Sequence, residues 1–516
     1  MLGKLLIYST LFTSIPVKRG DFATGTSHPD SAEIVWLSNF DIVQAGGLSD
    51  VMPDSVIDIL RNSGVRYFLS YEWMPAGYHY TDGSTDDPFM QWVYAGRYTL
   101  TLNPEGPFPH CSSWGWCEDY YYDLALDSLV VKRIGYLLYS TDTAGYNGLF
   151  FDWGGGDYIQ YDEYSAIRDT YNTRHPSFPY QEAVGRFYQS LKDSGPDKII
   201  MTNQGFRNAR YVLPHVDYDM TESYAVTDDY FGDSLYVENM GYVGVPHTVY
   251  YPVSTDYPDG SIDDQIYYLR LLKEYADSFA GTFFKGFVYM NYAAPSFVQT
   301  GDTQNGFPVY RMIEPKNAIY FGYAIPKLMN YIVYTEVPFN HELERDSIYF
   351  YDLGEPLGSQ IEEPYPHVYV RYYENGLVVA GEWQDTTVVN LSSPYILSGT
   401  QVYDPYEGIW FETSEHELSF VIRPVYDSLL GRMAPSGRVL LYNTTSLLKE
   451  ITKPYGFIPV EYTPDGIRIK ENAVLYTVDG KRIMKIKKNS ILKRGFIPEG
   501  VYILKNRTAG AKIIMW

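Results

Sequence analysis

Acids, amides and aromatic rings recur where the apolar runs of this 516-residue chain come to an end. Gly148-Leu-Phe-Phe151 runs into Asp152 and Trp153, and Lys198-Ile-Ile-Met201 into Asn203 and Gln204. The run 216–220 leads to Glu222 and Tyr224, the run 65–69 to Glu72 and Trp73, and the run 34–37 to Asp41. Gly286-Phe-Val-Tyr-Met290 ends in Asn291 and Tyr292. No histidine or cysteine nucleophile stands among these residues. The set suits cleavage of a glycosidic bond, which needs two carboxyl groups. One protonates the leaving oxygen, and the other attacks the anomeric carbon or activates water. Amides match sugar hydroxyls, which both donate and accept, and Tyr and Trp offer flat apolar faces with a polar edge.

Asp152 and Glu222 are the candidate catalytic pair. Three glycines follow Trp153 and would let the backbone approach a ligand closely. An Asp in that setting also suits an Asx turn. Asp219 competes with Glu222, because alternation does not decide between two carboxylates at a strand end. The candidate substrate-binding residues are Asp41, Glu72, Trp73, Trp153, Asn203, Gln204, Tyr224, Asn291 and Tyr292. Asp41 equally suits a surface turn, and Glu72 a salt bridge.

These residues need a scaffold that brings strand ends together. With two further runs, 98–102 and 248–251, the chain offers eight short apolar strands alternating with amphipathic stretches such as 124–139 and 262–279. The second stretch opens on Ser261-Ile-Asp-Asp, an N-cap with acids in the first turn. The pattern predicts the α/β class: a (β/α)8 TIM barrel over residues 30–340, with its site at the C-terminal strand ends. Beyond it, Tyr369 to Val378 spans a hairpin signal in which Asn375-Gly376 could fill the positive-φ positions of a type I′ turn. An all-β sandwich is expected over 360–445, and a small β-module over 455–516 with strands at 473–478 and 501–504.

Composition narrows the function classes. The formal net charge is −23, and an acidic surface excludes nucleic acid or an anionic membrane as the main partner. No run of about 18 apolar residues exists to span a bilayer. From residue 451 on, 13 Lys/Arg face 5 Asp/Glu, whereas the first 450 residues carry −31, so the tail is a separate module. The chain holds 53 tyrosines, which requires either a wide aromatic-lined surface or an unusual core. Tyr71, Tyr224 and Tyr292 are expected to line a sugar cleft, and Tyr369 to serve the sandwich. Cys111 and Cys117 suit a local disulfide, and with it an oxidising compartment, or two free thiols. Zinc would need two ligands beyond them, and only His110 is near. The loops 82–87 and 259–264 lack EF-hand spacing, so no metal and no cofactor is expected. Residues 1–20, with Lys4 ahead of an apolar stretch, read as a signal peptide.

Gly145-Tyr-Asn-Gly-Leu-Phe-Phe-Asp152 resembles a strand of glycosyl-hydrolase barrels related to the endo-α-1,4-polygalactosaminidases. Ile199 to Asn203, then Asp219-Met-Thr-Glu222, resembles their next two strands. Tyr351 to Gly358 and Val370 to Val378 resemble the start of their accessory β-domain, although Ala380-Gly381-Glu382 departs from the family's Asn-Pro. The resemblance spans roughly residues 30–445 in short patches. It implies a glycosidase, retaining or inverting, with Asp152 as nucleophile and Glu222 as acid/base. The tail, with Asp479-Gly480-Lys-Arg, Ile497-Pro-Glu-Gly500-Val-Tyr and Lys512-Ile-Ile-Met, resembles a type IX secretion sorting domain. That implies export by the type IX machinery to the cell surface or medium. The sequence fits an exported glycoside hydrolase acting on a polysaccharide or oligosaccharide first, with a non-catalytic glycan-binding barrel and a structural surface-layer component as alternatives.

Overall fold

The computed structural model describes residues 15–48, 50–78, 87–105, 119–251, 260–338, 340–427 and 431–443, with most of the strands between 456 and 515. The expectations for Cys111, Cys117, His110, the leader up to residue 14, and residues 82–86 and 259 of the two acidic loops concern residues outside these. Residues 18–29 and 33–442 form one compact unit, and the chain from 443 on belongs to a second.

The first unit is built on eight parallel strands: β1 (Gly20–Gly25), β2 (Phe40–Gly47), β3 (Tyr67–Trp73), β4 (Gly148–Asp152), β5 (Ile199–Asn203), β6 (Tyr218–Glu222), β7 (Gly286–Tyr292) and β8 (Ile332–Glu336). They are hydrogen-bonded in that order. Among the described residues no ladder joins β8 back to β1. Side chains close that seam instead: Phe22 packs edge-on against Tyr334, and Thr24 Oγ1 donates to Glu336 Oε2 at 3.0 Å. The architecture is a TIM barrel followed by a β-sandwich.

Alternation along each strand sends one set of side chains inward and the other toward the helices. Phe151 on β4 meets Phe187 and Tyr188 of α2 (Tyr180–Ser194) edge-on. Thr221 on β6 bonds Tyr268 of α3 (Ile262–Ser278). That helix opens with the expected capping box between Ser261 and Asp264.

The strand assignments differ at three places. Residues 34–37 end a helix, α1 (Ser31–Leu37), whose Trp36 and Leu37 are the buried positions. Arg97–Leu100 is a helical turn. Residues 248–250 close Gly241–Tyr250, one strand of a separate four-stranded sheet built from the excursions after β6 and β7. The barrel instead uses β1, β2 and β8. β1 carries only Phe22 and Ala23 as apolar residues, between terminal glycines, and both are fully buried. Residues 18–20 therefore belong to the fold: Arg19 donates to the carbonyls of Ser38, Phe40 and Ser63 at the base of the barrel.

The sandwich pairs a six-stranded sheet with a two-stranded antiparallel one, Thr387–Ser392 and Glu417–Ile422. Val370, Leu377, Val389, Phe420 and Leu440 fill the space between them. The other face of the large sheet covers α4 (Lys316–Lys327), which is why that helix is buried along almost its whole length. Gly437 lies so close that a Cβ there would stand 2.4 Å from the Tyr320 carbonyl oxygen. The expected hairpin joins Val368–Tyr373 to Gly376–Gly381, but Tyr373 pairs with Gly376, so the loop residues are Glu374 and Asn375. Neither these nor Gly376 takes a positive φ. Gly376 is required for a different reason: a Cβ would meet the Leu440 carbonyl at 2.3 Å. The second unit contains a five-stranded and a three-stranded sheet, with Ala473–Thr477 and Gly500–Lys505 among the strands.

Candidate active site

Five consecutive barrel strands each end on a polar residue that lines one cavity of about 310 Å³: Asp152 on β4, Asn203 on β5, Glu222 on β6, Tyr292 on β7 and Glu336 on β8. This is the carboxyl-terminal face, where parallel barrels carry their chemistry. The volume falls at the small end of ligand sites, roughly 300–1,000 Å³.

The centre of the site is an amide between two acids. Asn203 Nδ2 donates to Asp152 Oδ1 at 2.9 Å and to Glu222 Oε2 at 2.6 Å. The two acceptor oxygens therefore stand at most about 5.5 Å apart, the 2.9 and 2.6 Å legs laid end to end. Two acceptors on that side fix which end of the amide faces them. Asn203 Oδ1 is buried with no hydrogen-bond partner among the described residues.

The acids differ in their surroundings. Asp152 accepts two more bonds, from the Tyr71 hydroxyl to Oδ2 at 2.6 Å and from the Trp153 backbone N–H to Oδ1 at 2.8 Å. Glu222 has a second donor, the Tyr292 hydroxyl, at 2.7 Å from Oε1. Burial is the largest influence on Glu222 and the Asp152 charge is next; together they outweigh the two hydrogen bonds and raise its pKa above the usual carboxylate range. Burial and the neighbouring Glu222 likewise hold the Tyr292 phenol well above its ordinary value, so it stays a donor.

Asp219 and Glu222 lie on opposite faces of β6. Met220 and Glu222 line the cavity, and Asp219 points the other way. It accepts bonds from Thr202 Oγ1 (2.7 Å) and from the N–H groups of Gly205 (2.6 Å) and Phe206 (2.8 Å), fixing the turn that leaves β5. Burial pushes its pKa up to about 7.

Several expected binding residues lie elsewhere. Asp41 is at the start of β2, the opposite end of the barrel, where it pairs with Arg19 and Arg66. Its displacement follows from the strand assignment: residues 34–37 are helical, so Asp41 opens a strand instead of ending one. Glu72 faces away from Tyr71 and accepts from Leu48 N–H (3.3 Å) and Ser70 Oγ (3.2 Å), with burial raising its pKa to about 7. Asn291, on the outer face of β7, donates to the Gly322 carbonyl and accepts from Val226 N–H, tying the strand to α4. Tyr224 is buried in a stack on Tyr268, with centroids 4.3 Å apart. Trp73 packs against Tyr121. Gln204 makes the left-handed turn after β5 (φ 58°), and it is not among the lining residues. Trp153, also left-handed, meets Tyr161 and Tyr164 edge-on outside the lining. The glycines after it approach the protein itself: a Cβ on Gly155 would stand 2.6 Å from the Gln204 carbonyl.

Sequence reasoning missed the β8 wall, which contributes Glu336, His341, Glu344 and Arg345, and the Thr24 side of β1. The run Ile332-Val-Tyr-Thr-Glu336 carried the signal, since it has the same apolar-then-acid form as β4 and β6.

No family model matches the chain, and no curated protein matches it. Among solved structures, the glycoside hydrolase domain of PelA from Pseudomonas aeruginosa is 16% identical, with 62% of this chain and 94% of that one covered and a TM-score of 0.35. The noncanonic maltogenic α-amylase AmyB from Thermotoga neapolitana is 9% identical, with coverage of 82% and 98% and a TM-score of 0.42. A GH27 β-L-arabinopyranosidase from Geobacillus stearothermophilus is 9% identical, with coverage of 86% and 99% and a TM-score of 0.41. The roles of the residues here rest on their own geometry.

Proposed function

We propose that this chain is a glycoside hydrolase that cleaves a polysaccharide or oligosaccharide with retention, using Asp152 as nucleophile and Glu222 as acid/base. The observation that carries the reading is the Asn203 amide held between the two carboxyl groups. Retaining pairs stand about 5–5.5 Å apart, whereas inverting pairs stand about 6.5–9.5 Å apart to admit a water. The bridge supports the closer arrangement.

The division of labour follows from the surroundings. Every donor around Asp152 is aimed at the lone pairs of a carboxylate, which suits a nucleophile held in one orientation. Glu222, whose pKa burial and the Asp152 charge raise, is the better suited of the two to donate a proton. In the first step Asp152 bonds to the anomeric carbon while the glycosidic oxygen leaves with the Glu222 proton. In the second, water replaces Asp152 at that carbon and returns its proton to Glu222. The exposed ring of Tyr71 is placed to receive a sugar face.

Export belongs to the same proposal. The basic C-terminal module, with its sorting-like sequence, would direct the enzyme through the type IX machinery to the surface or medium.

The test is release of new reducing ends from a panel of polysaccharides, comparing wild type with Asp152→Asn and Glu222→Gln. Each variant is expected to lose at least 10³-fold in kcat, on the order of 4 kcal/mol of barrel-borne catalysis. The first-formed anomer, read by proton NMR, should match the substrate's configuration. Full activity of either variant overturns its role, an inverted product overturns retention, and binding without cleavage favours a glycan-binding barrel.

A further inference from the structure

Beyond the catalytic pair the cavity is lined by Glu33, Glu336 and Glu344, and Glu336 is the one of these at a strand end. Glu336 ends β8 at the barrel seam, directly beside Tyr292, its ladder neighbour on β7. Its Oε2 accepts one hydrogen bond, from Thr24 Oγ1 at 3.0 Å. His341 Nδ1 stands 4.0 Å from Oε1, beyond hydrogen-bond reach, and is engaged by Glu344 at 3.1 Å. A carboxylate offers about four lone-pair positions. Those of Glu336 are largely unfilled by protein donors among the described residues, although its side chain is only 19% exposed. Burial, followed by the neighbouring Glu344, raises its pKa to about 7. A part-buried carboxylate that lines the cavity with most of its lone pairs unfilled by protein donors is placed to accept hydrogen bonds from a ligand that brings hydroxyls.

Resting on the hydrolase reading, we infer that Glu336 is a substrate-contacting residue whose carboxyl binds hydroxyls of the glycosyl unit held between Asp152 and Glu222. The chemistry favours a pair of neighbouring ring hydroxyls, which can reach both oxygens of one carboxyl group. Tyr292 links the two functions: its hydroxyl fixes Glu222, and the next strand position carries Glu336. Specificity on this side of the cavity is therefore for unsubstituted hydroxyls.

A purely structural role, closing the seam through Thr24, makes different demands. Glu336→Gln keeps the side-chain length and an acceptor for Thr24, whereas Thr24→Val removes the seam bond and leaves the carboxyl. On a glycan that the wild type cleaves, Glu336→Gln is expected to lower kcat/KM by about 10- to 100-fold, the worth of a hydrogen bond to a charged group. Its thermal midpoint should not fall below that of the wild type, since replacing a carboxyl of raised pKa by an amide does not destabilise the fold. Monodeoxy oligosaccharides lacking the contacted hydroxyl should show no further loss between wild type and variant. If kcat/KM stays within twofold while Asp152→Asn is inactive, the assignment of Glu336 is overturned and the hydrolase reading stands. If nothing is cleaved, the hydrolase reading fails, and Kd for an oligosaccharide that the wild type binds becomes the readout. An unchanged Kd in Glu336→Gln then overturns the inference as well, and so does a wild type that binds none of them.

Discussion

Replacing Asn203 by Ala tests the centre of the site more sharply than replacing either acid. The amide donates to both carboxyl groups, at 2.9 and 2.6 Å, and hydrogen bonds to charged groups contribute about 1.5–3 kcal/mol each. Glu222 loses one of the two donors that favour its ionised form, while burial and the Asp152 charge, which favour the neutral form, remain. Its pKa must therefore rise further. One such bond corresponds to about 1–2 pKa units, and water entering the space left by the amide brings the expected shift to about one. A general acid works while protonated, so activity falls as pH rises through its pKa. The alkaline limb of the kcat/KM profile should then move about one unit upward in Asn203→Ala. At neutral pH, loss of the bridge should lower kcat/KM by about 10²-fold, or roughly 2.7 kcal/mol, because Asp152 is no longer held against its partner. The assay is the pH dependence of reducing-end release, with thermal unfolding to establish that the variant is folded. An alkaline limb that stays put or moves down, or a kcat/KM within threefold of wild type, would refute the reasoning.

Two further outcomes follow from the scaffold. Glu72 has a folded pKa raised to about 7, so its contribution to stability is full below its unfolded value and is lost as pH rises through about 7. Glu72→Gln should thus stabilise the fold by about 1–2 kcal/mol at pH 8 and change it little at pH 4, as measured by denaturant unfolding at both values. Gly437→Ala places a methyl group 2.4 Å from the Tyr320 carbonyl and 2.7 Å from Ala324 Cβ, so the sandwich sheet and α4 must separate locally. A loss of about 1–3 kcal/mol is expected from chemical unfolding, and an unchanged midpoint would show that the interface is looser than the packing implies.

What the sequence carried, and what it hid, divides along a physical line. β4 to β7 were legible because each is a short apolar run closed by a polar residue, and that closing residue is also the one that enters the cavity on β4, β5 and β6. β1 was not legible: Gly-Asp-Phe-Ala-Thr-Gly has too little apolar content to read as a strand, and it is held by the barrel around it, with Phe22 and Ala23 fully buried. Residues 34–37 failed in the opposite sense, since four consecutive apolar residues fit a buried helix end as well as a strand. That error moved Asp41 to the wrong end of the barrel. The false strands also completed the count of eight, which left Ile332-Val-Tyr-Thr-Glu336 unassigned and hid the Glu336 carboxyl. The tyrosines show the same limit at the level of composition. Of the three expected in a cleft, Tyr71 and Tyr292 line the cavity, while Tyr224 stacks on Tyr268 in the packing outside the barrel sheet. Tyr120, Tyr171, Tyr188, Tyr251, Tyr268, Tyr289, Tyr320, Tyr334, Tyr351 and Tyr373 are among the largest fully buried side chains. An aromatic excess therefore does not by itself mark a sugar-binding surface, because a phenol can fill a core and still reach a carbonyl or carboxylate with its hydroxyl, as Tyr334 does with Glu344 and Tyr373 with the Lys327 carbonyl. The residues that mark the site are the ones whose hydrogen bonds run across the ends of neighbouring strands, and only the register of the barrel brings those ends together.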